Sequence, residues 1–249
     1  KIGGKYYFIY SSWQNHELCY ATSDLPDRDF VFGGTIVSNG DVGYHGRSEK
    51  DRLNMTGTTH GSIECINGQW YVFYHRLTHK SDYSRQACAE PITILPDGSI
   101  PQVEITSCGL NGKPLHGTGT YPAVIACNIT NGHMPHGSNK IYTDSFPNAT
   151  HCGEDRFIGE IQDGTMLGYK YFAFSGAKEI GVQYRGSCNG KFVVSDDMDG
   201  KNIVAEIPVA PADAWTESRA PLHISDGTHP LYLFYRGDGE AAVKELYLA

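Results

Sequence analysis

No stretch of eighteen apolar residues occurs in the chain, so no segment reads as a membrane-spanning helix. Positive charge is scarce as well. Lys and Arg number 20 against 28 Asp and Glu, a net −8, which argues against a nucleic-acid partner or an anionic membrane surface and suits a neutral ligand. The seven cysteines (Cys19, Cys65, Cys88, Cys108, Cys127, Cys152 and Cys188) include no C-x-x-C pair, so a zinc site is not expected. Their odd number leaves at least one thiol free, and the expectation is mostly buried free thiols. No signal-peptide pattern follows Lys1, and localisation stays open between secreted, periplasmic and cytoplasmic. The sequons at Asn54, Asn128 and Asn148 bear on the chain only if its source glycosylates secreted proteins.

What is abundant points to strands. Glycine at 29 and tyrosine at 16 favour many short strands joined by tight turns over a helical bundle. GKYYFIYSS, from Gly4, returns as GQWYVFYHR from Gly68. The first is followed by ELCYATSDLPD and DFVFGGTIV, the second by SRQACAEPITILPDGSI and PQVEIT. Each unit reads as three or four short strands, with Gly-Lys or Gly-Gln turning into the aromatic strand, the signature of stacked β-sheet blades. KYYFIYSS and QWYVFYH are almost wholly apolar or aromatic, as expected of strands covered on both faces. Two blades cannot close a ring, so a partial propeller is expected over residues 1–116.

The pattern changes near Gly117–Thr120. YPAVIACNIT, GYKYFAFSG, IGVQYRG, KFVVSD, IVAEIPV, PLHIS, HPLYLFYRG and VKELYLA follow at intervals of about ten residues, which predicts a jelly-roll β-sandwich over residues 117–249. Residues 131–154, polar and with two prolines, read as a long loop. The fold class is therefore all-β, about two blades followed by a sandwich.

TTHGSIECINGQWYVFYHR followed by YSRQACAEPITILPDGSIPQVEIT resembles the last blade of glycoside hydrolase family 43. These are five-bladed propellers that cleave arabinofuranosides and xylosides with inversion. The C-terminal stretch with YPAVIACNIT, EDRFIGEIQDGTMLGYKYFAF and HPLYLFYRG is similar to the sandwich appended to some members, of the carbohydrate-binding module family 6 type. The resemblance implies a glycosidase acting on arabinose- or xylose-containing polysaccharide, with no required cofactor. It also implies that the proton-donating glutamate falls shortly before a strand like GKYYFIYSS, hence before Lys1. The chain then reads as N-terminally truncated, with its catalytic carboxylates absent.

Inverting hydrolysis needs two carboxyls about 6.5–9.5 Å apart. Glu17, Asp24, Asp27, Glu49 and Asp51 read as turn or loop acids, and Glu64 and Glu90 lie nearer the inner strands; Glu64, four residues beyond His60, is the weak candidate that remains. The resemblance places His60, in HGS, on the propeller floor under the sugar, where it would also reach a structural calcium through water. Calcium takes six to eight oxygen ligands, so His60 cannot define such a site alone. Arg85, in YSRQA, matches the arginine that enters the pocket from the last blade and would hold sugar hydroxyls or a carboxylate. His75 and Arg76 follow as further pocket residues, and Trp13 reads either as a rim aromatic stacking on a sugar or as a packing residue.

In the sandwich, Trp215, Tyr169, Tyr171 and Tyr235 supply aromatics, the tyrosines reading as core. GDGEAAVKEL carries alanines where sugar-binding relatives have an asparagine, and IACN lacks the acid used for a structural calcium. Both departures point to a mainly structural domain. The rival reading is a non-catalytic carbohydrate-binding protein acting through this sandwich.

Overall fold

The computed structural model describes residues 1–137 and 139–249, with eighteen strands, five short 3-10 turns and no α-helix among the described residues. The first repeat forms a three-stranded antiparallel sheet of β1 (Tyr6–Ser11), β2 (Glu17–Ser23) and β3 (Val31–Ser38), in that order. The second forms another from β4 (Ser62–Ile66), β5 (Gln69–Thr78) and β6 (Ser81–Ile92). Asn67 and Gly68, at φ 51° and 84°, make the two-residue turn from Ile66 into Gln69. Gly3 and Gly4, at φ 57° and 93°, make the same turn between Ile2 and Lys5.

The two aromatic strands are equivalent but not equally covered. β5 is central, between β4 and β6, and buries Tyr71, Val72 and Tyr74. β1 pairs only with β2, and the expectation of cover on both faces fails there: Phe8 is 56% exposed. An edge strand with nothing beyond it in the sheet leaves part of its apolar surface in water.

PQVEIT departs from the predicted strand. It crosses back over the first blade instead of extending the second. The Tyr7 hydroxyl donates to the Gly98 carbonyl at 2.7 Å, the Ile100 N–H donates to the Tyr20 hydroxyl at 2.9 Å, and the Val103 N–H donates to the Ile36 carbonyl at 2.8 Å. Ile100 and Ile105 thereby join Leu18, Tyr20 and Ile36 of one blade and Val72 and Tyr74 of the other in a shared core.

After a short β7 (Leu115–His116), β8 (Gly119–Pro122) and β9 (Asn128–Thr130), the sandwich continues with β10 (Asn148–Cys152), β11 (Asp155–Ile161), β12 (Met166–Phe174) and β13 (Glu179–Gly186). β14 (Asn189–Ser195), β15 (Ile203–Val209), β16 (Ala212–Pro221), β17 (Gly227–Asp238) and β18 (Ala241–Leu248) complete it. One sheet runs β10-β11-β18-β13-β16 with β8 beside β18; the other runs β15-β14-β17-β12-β7 with β9 beside β12. Sheet membership thus begins at Leu115. Leu167, Tyr169, Phe172, Phe192, Leu233 and Tyr235 are 0% exposed in the core between the sheets. Tyr169 and Tyr235 are core, as their alternation predicts. The predicted loop is interrupted sooner than residue 154, because NATHC forms edge strand β10. Met134 and Phe146 from that stretch bury against Met55 and Leu77 of the blade region.

The two halves are joined through buried polar groups. The Arg76 guanidinium donates to the carbonyls of Val124, at 2.6 Å, and Ala126. The Asn54 amide donates to the Cys127 carbonyl at 2.8 Å and accepts from the Ile129 N–H at 3.0 Å. The Lys170 ammonium, 0% exposed, lies 3.2 Å from Asp41 Oδ2 and 2.8 Å from Glu104 Oε1, and the Asn128 amide donates to the same Asp41 oxygen at 3.3 Å. Burial would lower the Lys170 pKa, but Cys127, Asp41 and Glu104 outweigh it and hold it above the ordinary value.

All three sequon asparagines are buried and hydrogen-bonded: Asn54 is 5% exposed, Asn128 0% and Asn148 6%. Secreted from a glycosylating host, the folded chain will carry no N-glycan at these positions. Its intact mass should not change on treatment with an N-glycan amidase, and a loss of glycan mass would contradict these placements. The seven cysteines are all free thiols; Cys19, Cys127 and Cys188 are buried, while Cys65 and Cys152 are exposed.

Candidate active site

Cross-strand register decides what each strand residue can face. His75 pairs with Ala87 and Leu77 with Arg85, so His75 and Arg85 project from one face of the second blade. His60 precedes β4 at the level of this end of β5. Its N–H donates to His75 Nδ1 at 3.3 Å, and the two rings stack with centroids 5.7 Å apart and planes 20° from parallel. With Nδ1 accepting, the His75 proton sits on Nε2, which faces Thr58 Oγ1 at 3.5 Å. Burial, then the Arg85 guanidinium and then His60, lower the His75 pKa to about 4, so this imidazole is neutral over the physiological range.

The glycine after His60 has a definite reason. A Cβ at Gly61 would come 1.9 Å from the Phe73 carbonyl oxygen, so only glycine lets this backbone approach β5 so closely. Arg85 is exposed, and its Nε and Nη2 both donate to the Asp82 carbonyl at 3.4 Å, which steers the guanidinium along the hairpin end. Trp13 lies in the β1–β2 turn. The Ser11 hydroxyl donates to the Thr59 carbonyl, which brings that turn beside His60. Trp13 is 88% exposed, which weighs against its reading as a packing residue. The structure therefore gathers His60, His75, Arg85 and the turn bearing Trp13 at one end of the blades.

Arg76 and Glu64 lie elsewhere. Arg76 projects from the opposite face of β5, is 6% exposed and is spent on the sandwich carbonyls and on Gln86 Oε1 at 2.9 Å. Glu64 shares the face of His75 but pairs with Tyr71, four residues before it. At the rise of a strand that is roughly 13 Å. Glu64 is exposed and its carboxylate accepts from the Cys65 N–H at 3.2 Å, in no contact with the histidines.

Glu90 has the protonation character of a catalytic acid without the position of one. Burial pushes its pKa up to about 8, against hydrogen bonds from the Thr106 N–H at 2.7 Å, the Thr106 hydroxyl at 2.6 Å and the Tyr74 hydroxyl at 3.3 Å. It is 1% exposed and pairs with Val72, on the face turned away from His75 and Arg85. Among the described residues no group of three or more His, Cys, Asp or Glu side chains converges to hold a metal ion. Around His60 stand His75 and a guanidinium, a set that among the described residues offers calcium no carboxylate.

Trp215 in the sandwich is no open platform. Its Nε1 donates to Asp155 Oδ2 at 2.8 Å, the Arg185 guanidinium lies 4.4 Å from its ring centre and the Lys244 ammonium 5.7 Å. The Tyr171 hydroxyl is likewise engaged, donating to Glu104 at 2.8 Å.

Over 262 aligned residues the chain is 44% identical to a xylosidase/arabinosidase of Thermoclostridium stercorarium, matching 100% of this chain and 54% of that protein. The chain is a homologue of this xylosidase/arabinosidase over its whole length. An arabinoxylan arabinofuranohydrolase of Paenibacillus polymyxa is 21% identical over 268 residues, covering 99% of this chain and 39% of that one. Among solved structures, a family 43 arabinoxylan arabinofuranohydrolase from Bacillus subtilis superposes on the whole chain with a TM-score of 0.52 at 18% identity, over 52% of its own length, and shares the fold. No family model matches the chain. The chain spans about half the length, or less, of the curated relatives it matches.

Proposed function

We propose that the chain forms the C-terminal part of a family 43 glycoside hydrolase that removes α-L-arabinofuranosyl or β-xylosyl units from plant hemicellulose with inversion. The observation that carries this reading is the 44% identity to a xylosidase/arabinosidase, which runs through the blades and the sandwich alike. His60 holds sugar hydroxyls, Arg85 holds sugar hydroxyls or a carboxylate, the neutral His75 orients His60 through its ring and Nδ1, and Trp13 closes the rim against an apolar sugar face. The acid and base are not supplied by Glu64 or Glu90, which lie off this cluster, and the reading assigns both to residues outside these 249.

The 249-residue chain alone should therefore hydrolyse neither p-nitrophenyl α-L-arabinofuranoside nor p-nitrophenyl β-D-xyloside above the buffer rate. Turnover that disappears on substituting a carboxylate of this chain would show that the acid and base are inside it, and would sink the assignment.

A further inference from the structure

Two clefts open along the seam between the second blade and the sandwich, and both are lined by His79 and Thr150. The cleft on the Arg85 side, about 510 Å³, is also lined by Ser84, Gln86, His151 and Arg156 and has no carboxylate in its walls. The one beyond His79, about 600 Å³, mixes Lys80 and Arg185 with Glu160, Asp213 and Glu240. Each is of the size that holds a few sugar rings. In a chain of net charge −8, a wall with two arginines and no acid is a local reversal of sign.

The positive charge is not neutralised from within. Neither Arg85 nor Arg156 has a carboxylate in ion-pair range among the described residues, and Arg85 meets only the Asp82 carbonyl. His79 does not add to it. Burial and then His151 hold its pKa below the ordinary value, and its Nε2 lies 2.6 Å from His151 Nδ1, so the two rings share a proton in one hydrogen bond. The permanent charge of this cleft belongs to the two guanidiniums. In the neighbouring cleft Lys80 is already paired with Glu160 at 2.7 Å, and a second anion there would face three acids.

We propose that this seam binds a hemicellulose chain bearing an acidic side sugar, with the uronate carboxylate held at Arg85 and Arg156 and the neutral backbone continuing past His79 and Thr150. The inference rests on the carbohydrate reading above and adds the substrate class. A guanidinium pair recognises a carboxylate by charge-assisted hydrogen bonds that a neutral hydroxymethyl group at the same carbon cannot reproduce. Thr150 offers an uncharged hydrogen bond suited to a sugar hydroxyl.

The test is titration calorimetry of the 249-residue chain with three probes: xylotetraose, xylotetraose carrying one glucuronate, and that acidic oligosaccharide with its carboxyl reduced to the alcohol. The acidic probe should bind at least tenfold more tightly than its reduced form in 20 mM salt, with the ratio shrinking in 200 mM salt. Arg156→Gln, an exposed substitution on β11, should bring the ratio close to one while leaving the xylotetraose affinity and the melting temperature unchanged. Arg236→Gln, on β17, should preserve the ratio. Equal binding of the acidic and reduced probes, or an equal loss in both variants, overturns the acidic preference and leaves the carbohydrate reading standing. Binding of none of the three overturns the seam as a sugar site.

Discussion

Replacing Lys170 with methionine is expected to destabilise the fold by about 3–5 kcal/mol, the usual consequence of removing one partner of a buried ion pair. The size follows from what is left behind. Asp41 is 2% exposed, and its Oδ2 would keep only the Asn128 amide at 3.3 Å as a polar partner from the sandwich side. Its Oδ1, which accepts from the Ile105 N–H at 2.8 Å, cannot offset the lost charge. Glu104 is better placed to recover, because it is partly exposed and retains the Tyr171 hydroxyl. Urea denaturation would give the energy, and a fall in Tm on the order of 10 °C should accompany it. The double variant with Asp41→Asn should recover part of the loss, since the uncompensated charge is then gone. Because Lys170 stands in the sandwich and Asp41 in the blades, amide exchange in β2 and β3 should accelerate more than in β14 and β17. A cost below about 1 kcal/mol would mean that water reaches Asp41 when the ammonium is removed.

That ammonium shows where sequence reading stops. GYKYFAF reads as a strand and is one, and nothing local in it says why a lysine is tolerated among aromatics; its partners lie at Asp41 and Glu104, more than sixty residues away. The blades and the sandwich were legible because their signals are local: strands at intervals of about ten residues, the Gly-Lys and Gly-Gln entries, the repeated aromatic run. His60, His75 and Arg85 entered through the resemblance, and the register of one hairpin, which no composition signal gives, is what brings them to one end of the blade. What could not be read is whatever depends on the path between elements. PQVEIT has strand composition yet crosses the first blade, since Tyr7, Tyr20 and Ile36 satisfy its backbone there. Arg76, one residue from His75, turns to the opposite face and meets a partner forty-eight residues on. Trp215 looks like a sugar platform until Arg185 is found over it.

Glu90→Gln should raise stability at alkaline pH, by a few kcal/mol at pH 9. In the fold this carboxyl holds its proton up to a pKa of about 8, chiefly because burial disfavours the charged form, whereas in the unfolded chain it ionises near 4.5. A group whose folded pKa is raised contributes stability that is complete below the unfolded pKa and is lost as pH rises through the folded one. Between pH 4.5 and 8 the unfolded chain binds fewer protons at this site than the native one, so the native protein loses up to about 1.4 kcal/mol per pH unit from Glu90. Glutamine mimics the protonated form. Its carbonyl can accept from the Thr106 N–H and the Tyr74 hydroxyl, and its amide can donate to the Thr106 hydroxyl oxygen, so the contacts survive without the charge. The urea midpoints of the two proteins should coincide near pH 4.5, separate steadily to pH 8 and run parallel above it. Curves parallel throughout would mean that Glu90 is already ionised in the fold, with Thr106 and Tyr74 donating to a carboxylate.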